Sequence, residues 1–410
     1  MTQRSRAIGI LVLLCGAMLF AGGITCALLY LMIPFSYQGP DLLATNLTIA
    51  SVAAIGLVFG IALTHHARNF LKARTSAVFH PPSPRRLTAI FVVSVIVGQL
   101  ILSFVPSSRL TSLVFPLLHI AAATTPALAI LGFVGRRTRA ASWRTVTLEV
   151  SHGALLAPAM ALVAELMVIL ALILVASVVV VLTPGGMETL LELSSNLQDP
   201  SWLEDPENLA RLVLSPATLA AIIAVFVFFA PLIEEFVKGL GVLLLGSRLR
   251  ARAEALLWGV ACGAGFAMGE SLFNGSIALE GWGVVMLMRW GASLMHCVAS
   301  GVMGLAWYHT LSTRRPWRLL AAYAAASGVH ALWNALAVAV ALPSLLLVTR
   351  PEDVSVPTIA GLTIAGAAGL LFLLIICMVI LMVSLIGRAH EASSKETLTD
   401  EELPSGSGAA

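Results

Sequence analysis

The sequence predicts an all-α, polytopic membrane protein with about ten transmembrane helices and both termini in the cytoplasm. Three observations carry that expectation. Charged residues make up only 11% of the 410 residues, against 59% hydrophobic, at a mean hydropathy of +0.95; a soluble domain carries about 25% charge. Apolar runs of about 20 residues, long enough to cross a bilayer, recur along the chain. When those runs alternate in direction, 19 of the 24 Lys and Arg residues fall on one side, the side that the positive-inside rule assigns to the cytoplasm.

Ten windows meet the length requirement: 8–33, 42–64, 87–105, 113–134, 153–183, 217–246, 255–278, 288–311, 319–345 and 358–387. The first follows Arg4 and Arg6 and runs unbroken past Ala27 to Ile33. That is longer than the apolar region of a signal peptide, so it reads as a first transmembrane helix. The basic side collects Arg68, Lys72, Arg74, Arg85 and Arg86, then Arg136, Arg137, Arg139 and Arg144, then Arg248, Arg250 and Arg252, then Arg314, Arg315 and Arg318, with Arg388 and Lys395 in the tail. The opposite side holds Arg109, Arg211 and Arg350.

These boundaries divide the chain into a five-helix region (1–183), an acidic extracytoplasmic loop (184–216), a four-helix core (217–345), a final span (346–388) and a polar, acidic tail (389–410) expected to be disordered. In the loop, Leu190, Leu191, Leu193 and Leu197 suggest a short amphipathic helix along the membrane surface; a solvated connector fits the same residues. All five cysteines (Cys15, Cys26, Cys262, Cys297 and Cys377) lie in apolar runs without metal or disulfide spacing, and Cys297, beside His296, reads as a buried thiol. The chain shows no internal repeat, no Gly-rich phosphate loop and no basic-aromatic face for nucleic acid.

The sixth span contains Pro231-Leu-Ile-Glu234-Glu235-Phe-Val-Lys238 in its middle. Each such charge costs about 2.5–3.5 kcal/mol on insertion scales, which marks the helix as part of a functional centre. Glu234 and Lys238, one turn apart, share a face, and Glu235 points about 100° away. Pro231 removes a backbone donor just before the carboxylates. The seventh span has small-xxx-small steps at Gly259/Gly263 and Gly265/Gly269, which allow close approach of a neighbour, followed by Glu270 and, one turn on, Asn274. Arg289 and His296 lie two turns apart on the eighth span, and His330 and Asn334 one turn apart on the ninth. Glu234, Glu235, Glu270, His296 and His330 each sit within roughly 6 Å of their span's midpoint at 1.5 Å per residue. Glu165 and His119 stand alone in their spans and read as structural.

Carboxylates and imidazoles at one depth suit two chemistries. In one, a carboxylate takes a proton from water and later returns it to a leaving amine, while His or Asn donates to the developing oxyanion. In the other, Glu235, Glu270, His296 and His330 hold a divalent metal such as zinc, whose water is the nucleophile. The His-Glu-x-x-His zinc-protease motif is absent.

In this order the residues resemble the PrsW family of intramembrane proteases, relatives of the CAAX-processing (type II prenyl endopeptidase) superfamily. The resemblance rests on Glu-Glu-x-x-Lys (Glu234, Glu235, Lys238), Phe-x-x-x-Glu (Phe266, Glu270), Arg289 with His296, and His-x-x-Trp-Asn (His330, Trp333, Asn334). Many members carry Asn after the second-motif glutamate, where this chain has Ser271. It spans about residues 217–340, leaving the first five helices and the tail outside. It implies hydrolysis of peptide bonds in membrane-anchored protein substrates, at a multi-pass site in the cell membrane. In the roles it implies, Glu234 and Glu235 include the general base, Glu270 and His296 position it, His330 and Asn334 serve the oxyanion, and Lys238 and Arg289 support. Two other classes fit the composition. A secondary transporter would show two related halves with interrupted helices, whereas here the polar residues crowd into four neighbouring spans. A silent scaffold would keep its function without His330 and both glutamates.

Overall fold

The computed structural model describes residues 3–401 except 38, 40, 107, 139–140, 247–248, 250, 278, 280 and 350–354. Arg139, Arg248, Arg250, Arg350 and the end of the acidic tail (402–410) therefore lie outside the described residues. The elements in order are α1 (Gln3–Ser36), α2 (Leu42–Leu71), α3 (Pro84–Phe104), α4 (Arg109–Thr138), α5 (Trp143–Ser151), a π-helical turn (His152–Leu156), α6 (Ala157–Val181), α7 (Gly186–Gln198), α8 (Pro200–Glu204), α9 (Pro206–Val213), α10 (Pro216–Ile222), a second π segment (Ile223–Phe229), α11 (Ala230–Leu245), α12 (Arg252–Ile277), α13 (Trp282–Thr313), α14 (Pro316–Thr349) and α15 (Ser355–Glu401).

Among the described residues nine helices, α5–α6 and α10–α11 each taken as one, are long and apolar enough to cross a membrane. All-α, multi-pass architecture is thus what the composition led us to expect. The tenth expected span, α13, has the length but falls outside that set. Arg289, His296, several serines and several glycines lower its hydropathy, and every residue from 291 to 301 is buried in protein. A helix shielded by its neighbours does not need the apolar surface that lipid demands of an exposed one. The leucines of the acidic loop fall in a helix, α7, while the fifth span starts ten residues earlier than the apolar run does. There Ser142 caps the helix by accepting the Thr145 N–H.

The chain divides into two compact units. The first comprises Met1–Pro158, Lys238–Tyr323 and Met378–Ala410. Its core gathers Leu47, Phe91, Val95, Phe115, Ala122, Trp282 and Met286. His119 ties that core to α12 and α13: Trp282 Nε1–H donates to its Nδ1 at 3.0 Å, so its Nε2–H donates to the Leu272 carbonyl, also at 3.0 Å. With both ring nitrogens occupied, His119 has the structural role its isolation suggested.

α12 is the centre of this unit, and its glycines are the reason. A Cβ on Gly263 would lie 2.3 Å from the His296 carbonyl oxygen, and one on Gly265 would lie 2.1 Å from the Val150 carbonyl oxygen. The two small-residue steps therefore serve two different neighbours, α13 and α5. Backbones meet there without intervening side chains, the packing mode that substitutes for hydrophobic driving force in a membrane.

The second unit comprises Ala159–Val237 and Ala324–Cys377. It holds α6, the acidic connection α7–α9, the stretch from α10 into the first half of α11, most of α14 and the first half of α15. Leu162, Val163, Met167, Leu170, Leu174 and Val175 on α6 are exposed, which suits a helix facing acyl chains.

Gly263→Val should destabilise the protein by about 3 kcal/mol, since the clash is with backbone that cannot turn away. Gly366→Ala, whose added methyl meets nothing within 4 Å, should be neutral or slightly stabilising. Thermal unfolding of both variants in detergent checks the pair.

Candidate active site

The polar residues singled out in the sequence fall into two groups, one in each unit. In the first unit the centre is Glu270 on α12. Arg289 on α13 meets it with both terminal nitrogens, Nη1 to Oε1 at 2.9 Å and Nη2 to Oε2 at 2.7 Å. The third guanidinium donor, Nε–H, goes to Ser271 Oγ at 3.0 Å. Asn274, one turn on, donates to Glu270 Oε1 at 3.1 Å. Such a fork-to-fork pair fixes the carboxylate plane as well as its position. Ser271, where the resemblance leads one to expect Asn, thus orients the arginine.

His296 Nε2 lies 2.8 Å from Glu270 Oε2, and its Nδ1 lies 2.9 Å from Lys238 Nζ. An ammonium can only donate. So Nδ1 accepts from Lys238, Nε2 carries the proton, and Nε2–H donates to Glu270. A directed chain results, from Lys238 through a neutral His296 to a carboxylate that Arg289 also holds. Lys238 and His296 are each 1% exposed. The Lys238 ammonium also lies 4.5 Å from the centroid of the Phe266 ring, which gives the phenylalanine of the second motif a cation–π role. Cys297 and Cys262 are buried, and Cys262 donates its S–H to the Lys238 carbonyl.

In the second unit, Glu235 and His330 pair directly, Oε1 to Nδ1 at 2.8 Å, with 0% and 2% exposure. The carboxylate accepts the Nδ1–H, so the lone pair of His330 is on Nε2. That nitrogen faces Glu234 Oε2 at 3.8 Å. The gap is too wide for a direct hydrogen bond and narrow enough for one water or one cation to bridge.

Asn334 donates through Nδ2 to the Phe226 carbonyl at 2.8 Å. The local backbone explains why that carbonyl is available. Through 223–229 the helix is widened, and the Ala230 N–H reaches Val225 five residues back. The next donor in that pattern would belong to Pro231, which has no N–H. The Asn334 amide takes its place. The sequence shows that Pro231 removes a backbone donor but carries no signal for the π geometry, and so none for this contact.

A divalent metal fits the donor set of the second unit. Ions such as zinc take imidazole nitrogen and carboxylate oxygen at about 2.0–2.2 Å, so two donors 3.8 Å apart can serve one ion. The Glu235 contact is the outer hydrogen bond that metal-binding histidines ordinarily make.

Helical spans with carboxylate–imidazole pairs set inside them define a multi-pass membrane protein whose buried polar groups are arranged for chemistry. The model of the PrsW family of intramembrane metalloproteases matches residues 141–385. The chain belongs to that family and is an intramembrane protease. The match is wider than the motif-bearing stretch: it takes in the fifth span, which the motif resemblance left outside, and most of α15. No curated protein and no solved structure matches the chain.

Glu270→Gln keeps the shape but removes the charge opposite a largely buried Arg289. The expected cost is at the low end of about 3–5 kcal/mol, because Glu270 is still 31% exposed. Denaturant unfolding in detergent, with Asn274→Ala as the milder comparison, measures it.

Proposed function

We propose that the protein cleaves peptide bonds of membrane-anchored proteins in the cell membrane, using a water held between Glu234 and His330. The observation that carries this reading is the buried Glu235–His330 pair with Glu234 3.8 Å from the other ring nitrogen. Two acceptors facing each other across that distance are suited to a ligand with two hydrogens. Water is the smallest such ligand, and the one that hydrolysis requires.

Glu234 is the general base: it takes a proton from that water and later returns it to the leaving amine. His330 orients the water through Nε2, and Glu235 fixes the tautomer that makes this possible. Asn334 has one amide hydrogen on Phe226, and its second is offered to the developing oxyanion. The network Lys238–His296–Glu270–Arg289 acts as the positioning group. Its membership in the same centre rests on the sequence, where Glu270 and His296 fall at one depth with Glu234, Glu235 and His330 on four successive spans. Family membership supports that reading.

Glu234 and His330 would hold a metal, which supplies a Lewis acid and a water of lowered pKa when bound. The set nominated from the sequence was Glu235, Glu270, His296 and His330. The 3.8 Å separation of Glu234 Oε2 from His330 Nε2 supports Glu234 as the oxygen donor beside His330. Cleavage that survives prolonged treatment with a strong chelator would assign the chemistry to the carboxylate alone. Loss restored by zinc would assign it to the metal. The charge asymmetry of the loops supports a topology with both termini in the cytoplasm.

Glu234→Gln should lower cleavage of a co-expressed membrane-anchored substrate by about 10²–10⁴-fold, the range for loss of a general base. Glu235→Gln should cost about 10–100-fold, as an outer orienting group does. Undiminished cleavage in both variants would overturn the assignment.

A further inference from the structure

The first unit contains a cleft of about 930 Å³ among α1, α2, α5 and α11. It follows α1 from Ile8 to Cys26 and α2 from Val52 to Phe70, about 27 Å of helix in each case at 1.5 Å per residue. Its walls are almost wholly apolar. Leu11, Met18 and Leu244 on its rim are 61%, 75% and 71% exposed, so the cleft opens sideways, where lipid would be.

Size and charge identify the occupant. The volume lies in the range of about 300–1,000 Å³ typical of small-molecule sites. Arg144 and His66 line one end. Arg68, Lys72 and Arg74 follow His66 within eight residues, and Arg6 precedes Ile8 by two. Arg144 is held there by its bond to the Arg74 carbonyl at 2.8 Å. An apolar channel with a cationic end between helices, on the basic side of the membrane, has the chemistry of an anionic lipid site.

A second observation comes from Glu149. It lies in the cleft wall, is 1% exposed, and has no hydrogen-bond partner on either carboxyl oxygen among the described residues. It stands five residues from Arg144, about 7.5 Å along α5, close to the level of the glycerol esters of a lipid whose phosphate is at Arg144. A buried polar group without a partner is costly, and an ester carbonyl in a lipid's glycerol region would accept a hydrogen bond from the protonated Glu149 carboxyl. The protease centre uses none of these residues.

We propose that this cleft binds one anionic phospholipid, with an acyl chain lying along α1 and α2 on the side that faces α5 and α11 and its phosphate at Arg144. The proposal goes beyond the proteolytic reading and does not depend on it. The test places the full-length protein in phosphatidylcholine nanodiscs. These carry a small fraction of either phosphatidylglycerol or phosphatidylcholine with a diazirine in the acyl chain. Photolysis and peptide mass spectrometry then locate the label. Phosphatidylglycerol should label segments 8–26 and 52–70 about fivefold more than phosphatidylcholine, the ratio expected for about 1 kcal/mol from one basic residue. Arg144→Gln should bring that ratio to one, and Arg144→Lys should keep most of it. Gly22 lines the cleft and an added Cβ there meets nothing within 4 Å, so Gly22→Phe can leave the backbone in place while its ring takes up cleft space, and should reduce labelling by both probes. Equal labelling by the two probes in the native protein would overturn the proposal, as would phosphatidylglycerol labelling unchanged in Gly22→Phe. Thermal unfolding of each variant shows that the protein stays folded, and cleavage activity enters none of these readouts.

Discussion

An ionised side chain in hydrocarbon needs its counter-charge and hydrogen bonds supplied by the protein, because no solvent is there to supply them. Glu270 meets that demand more fully than any other residue described here. Arg289 neutralises it through two parallel bonds, Asn274 and His296 add donors, and Ser271 takes the arginine's remaining donor. Remove the charge and the guanidinium is stranded. Remove the guanidinium and the carboxylate is. A pair of this kind adds little net stability compared with a well-packed apolar core, so its value lies in holding His296 and Lys238 in one arrangement.

That arrangement depends in turn on how close α12 comes to α13. Backbone contact at Gly263 and the His296 carbonyl brings the two helices within the reach of short, direct contacts, Nε2 to Oε2 at 2.8 Å. A larger residue at 263 would push the helices apart, and the bidentate pair and the imidazole could not both be satisfied. The opposite face of α12 is packed just as closely through Gly265 against α5. One helix thus holds the polar residues in place because its own side chains are small where its neighbours cross.

Much of this was legible in the sequence, for physical reasons that differ from residue to residue. Charged side chains in apolar runs are conspicuous, so Glu234, Glu235, Glu270, Arg289, His296 and His330 could be read without a structure. Helical spacing also gave the pairing of small steps on α12. What spacing could not give was the division of hydrogen bonds. The i, i+4 relation of His330 and Asn334 suggested one shared ligand, but their side chains go to Glu235 and to a backbone carbonyl. The sequence also marked α13 as a span, although a stricter hydropathy threshold leaves it out because a window average reads burial in protein as if it were exposure to water. Glu149 was overlooked for a related reason: it precedes the apolar run that marks the fifth span, and only the longer helix reveals that it is enclosed.

The contact between Asn334 and Phe226 shows how an irregularity in one helix sets the alignment of another. The widened segment 223–229 ends at Pro231, so one carbonyl in an apolar stretch loses its backbone donor. A neighbouring helix can supply the replacement only at one register, the one that places an amide opposite residue 226. α14 meets that condition with Asn334, and four residues earlier on the same face it carries His330 to Glu235. As the paired positions rise along α10–α11 they fall along α14, so the two stretches are antiparallel, and two contacts define both register and direction. If Pro231 had an N–H, the Phe226 carbonyl would be satisfied within its own helix and α14 could slide at little cost. The proline therefore acts at a distance from the chemistry: by withholding one hydrogen bond it makes the position of the imidazole a requirement of backbone satisfaction.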